Sequence, residues 1–221
     1  MKKTLASIGL MGLLLTTTTT QAAGEFGLTA KIGTLGWGLE GTAGITEKIN
    51  LRFGYNGISS DEFTVDDVDA GGVNTSWKVK ASLQTIPLLV DWHAFGAAFR
   101  FTGGVMYNNN KFEASAPVNT YDLGLGTYDV GLDASIEGSN KVSPYLGVGW
   151  GNAVSKNRRW IFSADLGFLF QGNPDVTLTP TGPEAGIVDP DDLAAEERNI
   201  EDEIKYFKIY PVANVGVSYH F

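Results

Sequence analysis

From residue 26 onward the chain alternates. Phe26, Leu28, Ala30 and Ile32 share one face of an extended segment, with Thr29 and Lys31 opposite. A period of two marks a strand with one apolar face. Leu35, Trp37 and Leu39 form a second row, with Glu40 opposite. The phase slips between Ile32 and Leu35. A two-residue turn at Gly33-Thr34 explains the slip, because glycine first suits a type II′ hairpin; a bulge in one long strand is the alternative. Ile49, Leu51, Phe53 and Tyr55 make the third row. Trp77, Val79, Ala81 and Leu83 follow, and after a shift near Thr85 the apolar set becomes Ile86, Leu88, Val90 and Trp92. Pro87 cannot donate to a ladder, so a bulge suits that shift. Phe99, Phe101, Val105 and Tyr107 form the next row.

Leu132, Ala134 and Ile136 are in phase with Val142, Leu146, Val148 and Trp150, which predicts one long strand. The clearest row is Trp160, Phe162, Ala164, Leu166, Phe168 and Phe170, with Ser163, Asp165 and Gly167 opposite. Ile209, Val215, Val217, Tyr219 and Phe221 end the chain. The segments 57–74, 109–127 and 172–205 are expected as long loops, whereas the turns near 45–48, 93–97 and 152–159 are short. In the last long loop Asp189-Pro190 is a helix start, with Asp at the N-cap and Pro at the first position. Leu193, Ile200 and Ile204 can share a stripe there, with Glu201 and Lys205 as a pair.

The predicted fold is all-β: a closed antiparallel eight-stranded transmembrane β-barrel with a short helix in the last long loop. Alternating short and long connections are typical of such barrels. An even strand number lets the first and last strands close antiparallel; seven would make them parallel. A soluble sandwich shares the alternation but buries its apolar face. Two features favour the membrane. Trp37, Trp77, Trp92, Trp150 and Trp160 fall near strand ends, as interfacial girdles require, and the chain finishes on Val215, Val217, Tyr219 and Phe221.

Residues 1–23 read as a signal peptide, and 24–221 as the barrel domain. Lys2 and Lys3 precede an apolar run from Leu5 to Leu15, and Ala22-Ala23 are small enough for cleavage. The run is too short to span a bilayer. The chain has 221 residues, 28 glycines and no cysteine, and only 19% of it is charged. Without Lys2 and Lys3, 14 basic residues remain against 25 acidic, a net charge of −11. That argues against a nucleic-acid partner.

The C-terminal row resembles the signal read by the outer-membrane barrel-assembly machinery. The overall plan resembles the transmembrane domain of outer-membrane protein A and outer-membrane protein W. The segments Lys31–Leu39, Leu51–Asn56 and Pro144–Asn152 resemble most closely a family of small proteobacterial outer-membrane barrels, whose glycine-rich motifs specify fold and carry no chemistry. The resemblance implies location in the cell outer membrane, with outer-membrane lipid and lipopolysaccharide around the barrel and the assembly machinery as a transient partner. A closed barrel has no free sheet edge, so a monomer is expected.

Chemistry is sparse. There are two histidines; His93 falls in a predicted periplasmic turn and His220 is penultimate. No metal-spaced cluster or phosphate loop is present. No enzyme activity, catalytic residue, metal or cofactor is expected. Lys31, Glu40, Arg52, Lys78, Lys80, Arg100, Asp133, Glu137, Asp165 and Lys208 fall on polar faces and form the candidate lumen network. Eight strands enclose just enough space for side chains to fill. A plugged barrel with a structural or surface-interaction role is the first reading. A narrow pore or transporter for small molecules, hydrophobic ones included, is the second, by resemblance to outer-membrane protein W. A lipid-modifying enzyme is disfavoured by the histidine positions. Acidic residues at 61–69 and 189–203 read mainly as solvated surface charge.

Overall fold

The computed structural model describes residues 25–70, 73–95, 98–155 and 158–221. The expected export signal at 1–23 lies outside them. The described strands are β1 (Phe26–Gly33), β2 (Gly36–Gly44), β3 (Ile49–Ser59), β4 (Phe63–Ala70), β5 (Val73–Trp92) and β6 (Phe99–Asn108). They continue with β7 (Lys111–Leu123), β8 (Gly126–Gly138), β9 (Val142–Trp150), β10 (Trp160–Phe170), β11 (Pro174–Thr181) and β12 (Ile209–His220). One helix, α1 (Pro190–Glu203), precedes β12.

Eight strands close a ring in the order β1-β2-β3-β5-β6-β9-β10-β12. The β1–β12 and β5–β6 ladders complete it, and every pairing is antiparallel. The start of β1 and the end of β12 meet at one rim, here the lower rim, where Gly27 pairs with His220. Phe162, Leu166 and Phe168 stand exposed on the outside, whereas Arg52 and Asp165 are only 4% and 6% exposed inside. An outward apolar band over a polar interior is the reverse of a soluble barrel and is stable only in lipid. No described helix is long and apolar enough to cross a membrane; the strands cross. Aromatic rings pack around the lower rim, where Trp160 meets Tyr219 and Trp92 meets Phe101. Trp37 and Tyr55 pair at the upper rim.

The first hairpin turns one residue later than expected. Gly33 pairs with Gly36, leaving Thr34-Leu35 as the turn. Gly36 has φ +87°, a conformation that favours glycine. Leu35 therefore leaves the outward row and is buried over the lumen.

Above the ring, β4, the first half of β5, β7, β8 and β11 form a second sheet in that order. The expected loops 57–74 and 109–127 are thus largely strand. β5 has 20 residues, about twice what a tilted strand needs to cross a bilayer. Its pairings with β3, β6 and β7 run without a register break, so there is no bulge at Pro87. Strict alternation then puts Lys78, Lys80 and Ser82 on the same face as Ile86, Leu88, Val90 and Trp92. The pattern shift near Thr85 marks a change of medium. Below it, apolar residues face out; above it, they face in.

The descending chain solves the same problem differently. Tyr107 pairs with Val142 and Lys111 with Glu137, so residues 138–141 contain one residue more than their partner segment. The extra residue swaps faces. Leu132, Ala134 and Ile136 therefore turn inward in β8, while Val142, Leu146 and Val148 face out in β9. The single strand expected over 132–150 is two strands.

The helix begins as expected, with the Asp189 side chain accepting from the Asp191 N–H. Leu193, Ile200 and Ile204 pack against Ala134, Val176 and Leu178. Trp77 joins this upper core and is not part of a girdle. The expected Glu201–Lys205 pair is absent among the described ion pairs. Instead Glu201 accepts the Val176 N–H at 3.1 Å and Glu197 accepts that of Leu178 at 2.8 Å. Two helix carboxylates thereby cover the edge of β11, which would otherwise invite pairing by another chain.

Candidate functional site

The lumen is built in layers. Inward positions on β1, β2, β3, β5, β6 and β10 supply Lys31, Glu40, Arg52, Asp91, Arg100 and Asp165 respectively. Lys31 Nζ lies 2.8 Å from Glu40 Oε2, and Arg52 Nη1 lies 3.0 Å from Glu40 Oε1. Arg52 Nε reaches Asp91 at 2.8 Å, and its Nη2 reaches Asp165 at 3.4 Å. Arg100 Nη2 lies 2.7 Å from Asp165, and Arg100 Nε 3.4 Å from Asp91. Thr102 Oγ1 donates to Asp91 at 2.7 Å. Three cations thus balance three carboxylates, all with side chains at most 7% exposed. Such a set is tolerable away from water only because every charge is paired, five of the six with more than one partner. The space left beside it is about 10 Å³, lined by Thr29, Thr42, Ser163 and Ser218 among others. That is room for one water molecule at most.

Above this layer Leu35, Leu89, Met106, Tyr145, Leu169 and Val212 form an apolar cluster. Above that, a belt of buried amides and hydroxyls closes the neck. Asn56 Nδ2 donates to Thr85 at 2.9 Å, and the Gln84 N–H donates to Asn110 Oδ1 at 2.9 Å. Below the charges, the turn after β9 folds in under the ring. Arg100 Nη1 donates to the Gly151 carbonyl. Asn50 Nδ2 donates across the opening to Asn152 Oδ1 at 3.0 Å. Val154 is buried against Gly44, and a side chain at Gly27 would collide with the Ala153 carbonyl.

Five of the ten residues expected in the lumen meet there: Lys31, Glu40, Arg52, Arg100 and Asp165. The other five do not. Lys78, Lys80 and Asp133 line a cavity of about 330 Å³ on the outer face of the upper sheet. Glu137 pairs with Lys141 at the neck, and Lys208 lies exposed just before β12. Their faces are polar because they meet water outside, not because they enclose a lumen. Asp91 was missed; its position opposite Val90 and Trp92 in the alternation carried the signal.

The acidic loops also have definite partners. Asp192 accepts from the Leu125 N–H at 2.9 Å and from the Tyr128 hydroxyl at 2.8 Å. These bonds hold its carboxyl below the usual range, the Leu125 N–H contributing most. Glu184 accepts the Asp129 N–H. No group of side chains suited to hold a metal ion occurs among the described residues. His93 is buried beside the backbone of Lys48 and Gly151 and the side chains of Asp91 and Arg100.

These features define a small transmembrane β-barrel of the outer-membrane type, with a filled interior and a raised sheet. Among solved structures, Acinetobacter baumannii CarO shares this fold with 22% identity and a TM-score of 0.58, over 88% of this chain and 97% of that one. Acinetobacter baumannii CarO2 matches at 22% identity and a TM-score of 0.60, over 89% and 98%. A major outer membrane protein from Thermus thermophilus matches more loosely, at 17% identity and a TM-score of 0.45. No protein-family model and no curated protein matches the chain.

Proposed function

We propose that the protein is a non-enzymatic integral component of the cell outer membrane, exported by its first 23 residues. Its filled barrel anchors a rigid sheet and helix at the cell surface for a structural or surface-interaction role. The lower rim then faces the periplasm, and Val215, Val217, Tyr219 and Phe221 serve as the signal to the assembly machinery. The observation that carries this reading is the stack of layers in the lumen. A solute would have to displace a neutral six-member ion network, an apolar cluster and an inserted turn in succession. The covered edge of β11 and the exposed Asp66 on β4 fit a monomer, since charge on an edge strand discourages edge pairing.

The test is reconstitution of the purified protein into planar bilayers. The filled lumen predicts no discrete conductance. Steady unitary currents would overturn the reading in favour of a narrow pore for small molecules. A changed lipid A mass on overexpression would instead point to a lipid-modifying enzyme.

A further inference from the structure

One side of the barrel carries two features that the anchoring role does not use. The first is the 3-10 turn Lys205–Lys208, which leads from α1 into β12 at the upper rim. Tyr206 is 82% and Phe207 50% exposed, although both are large aromatics. The turn is fixed: buried Gln171 donates from Nε2 to the Phe207 carbonyl at 2.7 Å and from its backbone N–H to the Lys208 carbonyl at 3.0 Å. Lys205 and Lys208 have no carboxylate within ion-pairing distance among the described residues. Lys48 and Lys80 are likewise without one, whereas Lys31, Lys78, Lys111 and Lys141 are each matched. Two cations without a carboxylate partner, Lys205 with its Nζ 6.0 Å from the Tyr206 ring centroid, flank two exposed aromatics, a composition suited to an anionic interface. Aromatic rings favour the headgroup level, and lysines beside a membrane favour phosphate.

The second feature is a groove of about 440 Å³ in the outward wall of β1, β12 and β10. Its floor is Gly33, Ala164 and Ala213, and its walls are Ile32, Leu166 and Val215. The floor stays low because the outward positions of β10 and β12 there are Ala164 and Ala213, whereas Gly33 pairs with inward-facing Asn214. Ala213 follows Ile209 by four residues, so the groove begins roughly 13 Å below the turn along β12.

We propose that this side of the barrel binds a phosphorylated, multiply acylated glycolipid of the outer leaflet. Lys205 and Lys208 take its phosphates, Tyr206 and Phe207 lie at the sugar–acyl boundary, and one acyl chain occupies the groove. The proposal rests on the outer-membrane reading above and specifies the lipid contact within it.

The experiment is native mass spectrometry of the detergent-purified protein titrated with Kdo2-lipid A, the same lipid stripped of its phosphates, and phosphatidylglycerol. The site predicts retention of Kdo2-lipid A in preference to the other two. The double change Lys205→Ala/Lys208→Ala should weaken it about 30-fold, the loss expected of two phosphate-facing cations. Ala213→Leu, which fills the groove, should weaken both glycolipids and leave the heat-modifiable gel shift of the folded barrel intact. Equal binding of all three lipids, or double-variant binding equal to wild type, overturns this proposal while leaving the barrel reading standing. A protein that stays soluble without detergent overturns both.

Discussion

Replacing Arg52 by methionine tests whether the lumen is filled and dry. Its guanidinium touches Glu40, Asp91 and Asp165, the only residue of the layer to contact all three carboxylates. Without it, Lys31 and Arg100 are left against three acids, and a neutral cluster becomes net negative. Removing one partner from a buried ion pair costs about 3–5 kcal/mol. Lys31 and Arg100 still hold the acids, so the lower end, about 3 kcal/mol, is expected. Arg52→Met/Glu40→Gln restores neutrality and should recover at least about 1 kcal/mol, the size of coupling typical of groups in one network. Reversible urea unfolding in detergent micelles, followed by tryptophan fluorescence and gel shift, reads both values. A cost for Arg52→Met below about 1 kcal/mol, as for solvated pairs, would refute the reasoning. So would a double variant less stable than the single.

Two further perturbations separate the lower turn from the raised sheet. Gly27→Val places a side chain where the Ala153 carbonyl lies, 2.4 Å from an ideal Cβ. It should expel the turn after β9 and raise hydrogen exchange at residues 152–155 while the ladders stay protected; unchanged exchange there would contradict the inserted turn. Asp192 has its folded pKa depressed, so its contribution is present above the ordinary aspartate value near 3.8 and lost as pH falls through the lower folded value. Acidification through that range should loosen the Leu125 and Tyr128 contacts, read as faster exchange at Leu125. Asp192→Asn should be insensitive to the same change, and an equal response in both proteins would dismiss the linkage.

The barrel was legible where one physical rule governs the whole strand. In β10 every second residue from Trp160 to Phe170 meets lipid, and alternation alone reveals it. Elsewhere alternation shows that a strand has two faces but not which medium each one meets. Alternation alone therefore places Lys78 and Lys80 in the lumen, whereas a polar face points inward in the membrane and outward above it. The in-phase rows of β8 and β9 concealed the added residue at 138–141, since the same pattern serves opposite faces on either side of it. Segment 109–127 looked like a loop because β7 has a weak apolar row, Phe112, Ala114 and Ala116, that gains its cover from distant partners such as Trp77. The carboxylates of α1 seemed solvated because the edge N–H groups they cover lie in β11, out of sequence view.

The inversion of β5 at the membrane surface sets which of its faces meets lipid and which meets water. The chain has no cysteine, so single cysteines from Ser76 to Trp92 can each carry a nitroxide label in reconstituted membranes. Collision with oxygen reports lipid, and collision with a water-soluble nickel chelate reports solvent. The prediction is high oxygen access at 86, 88, 90 and 92, high nickel access at 76, 78 and 80, and little of either at 85, 89 and 91. Nickel access at 86–92, or water reaching 89 and 91, would contradict it.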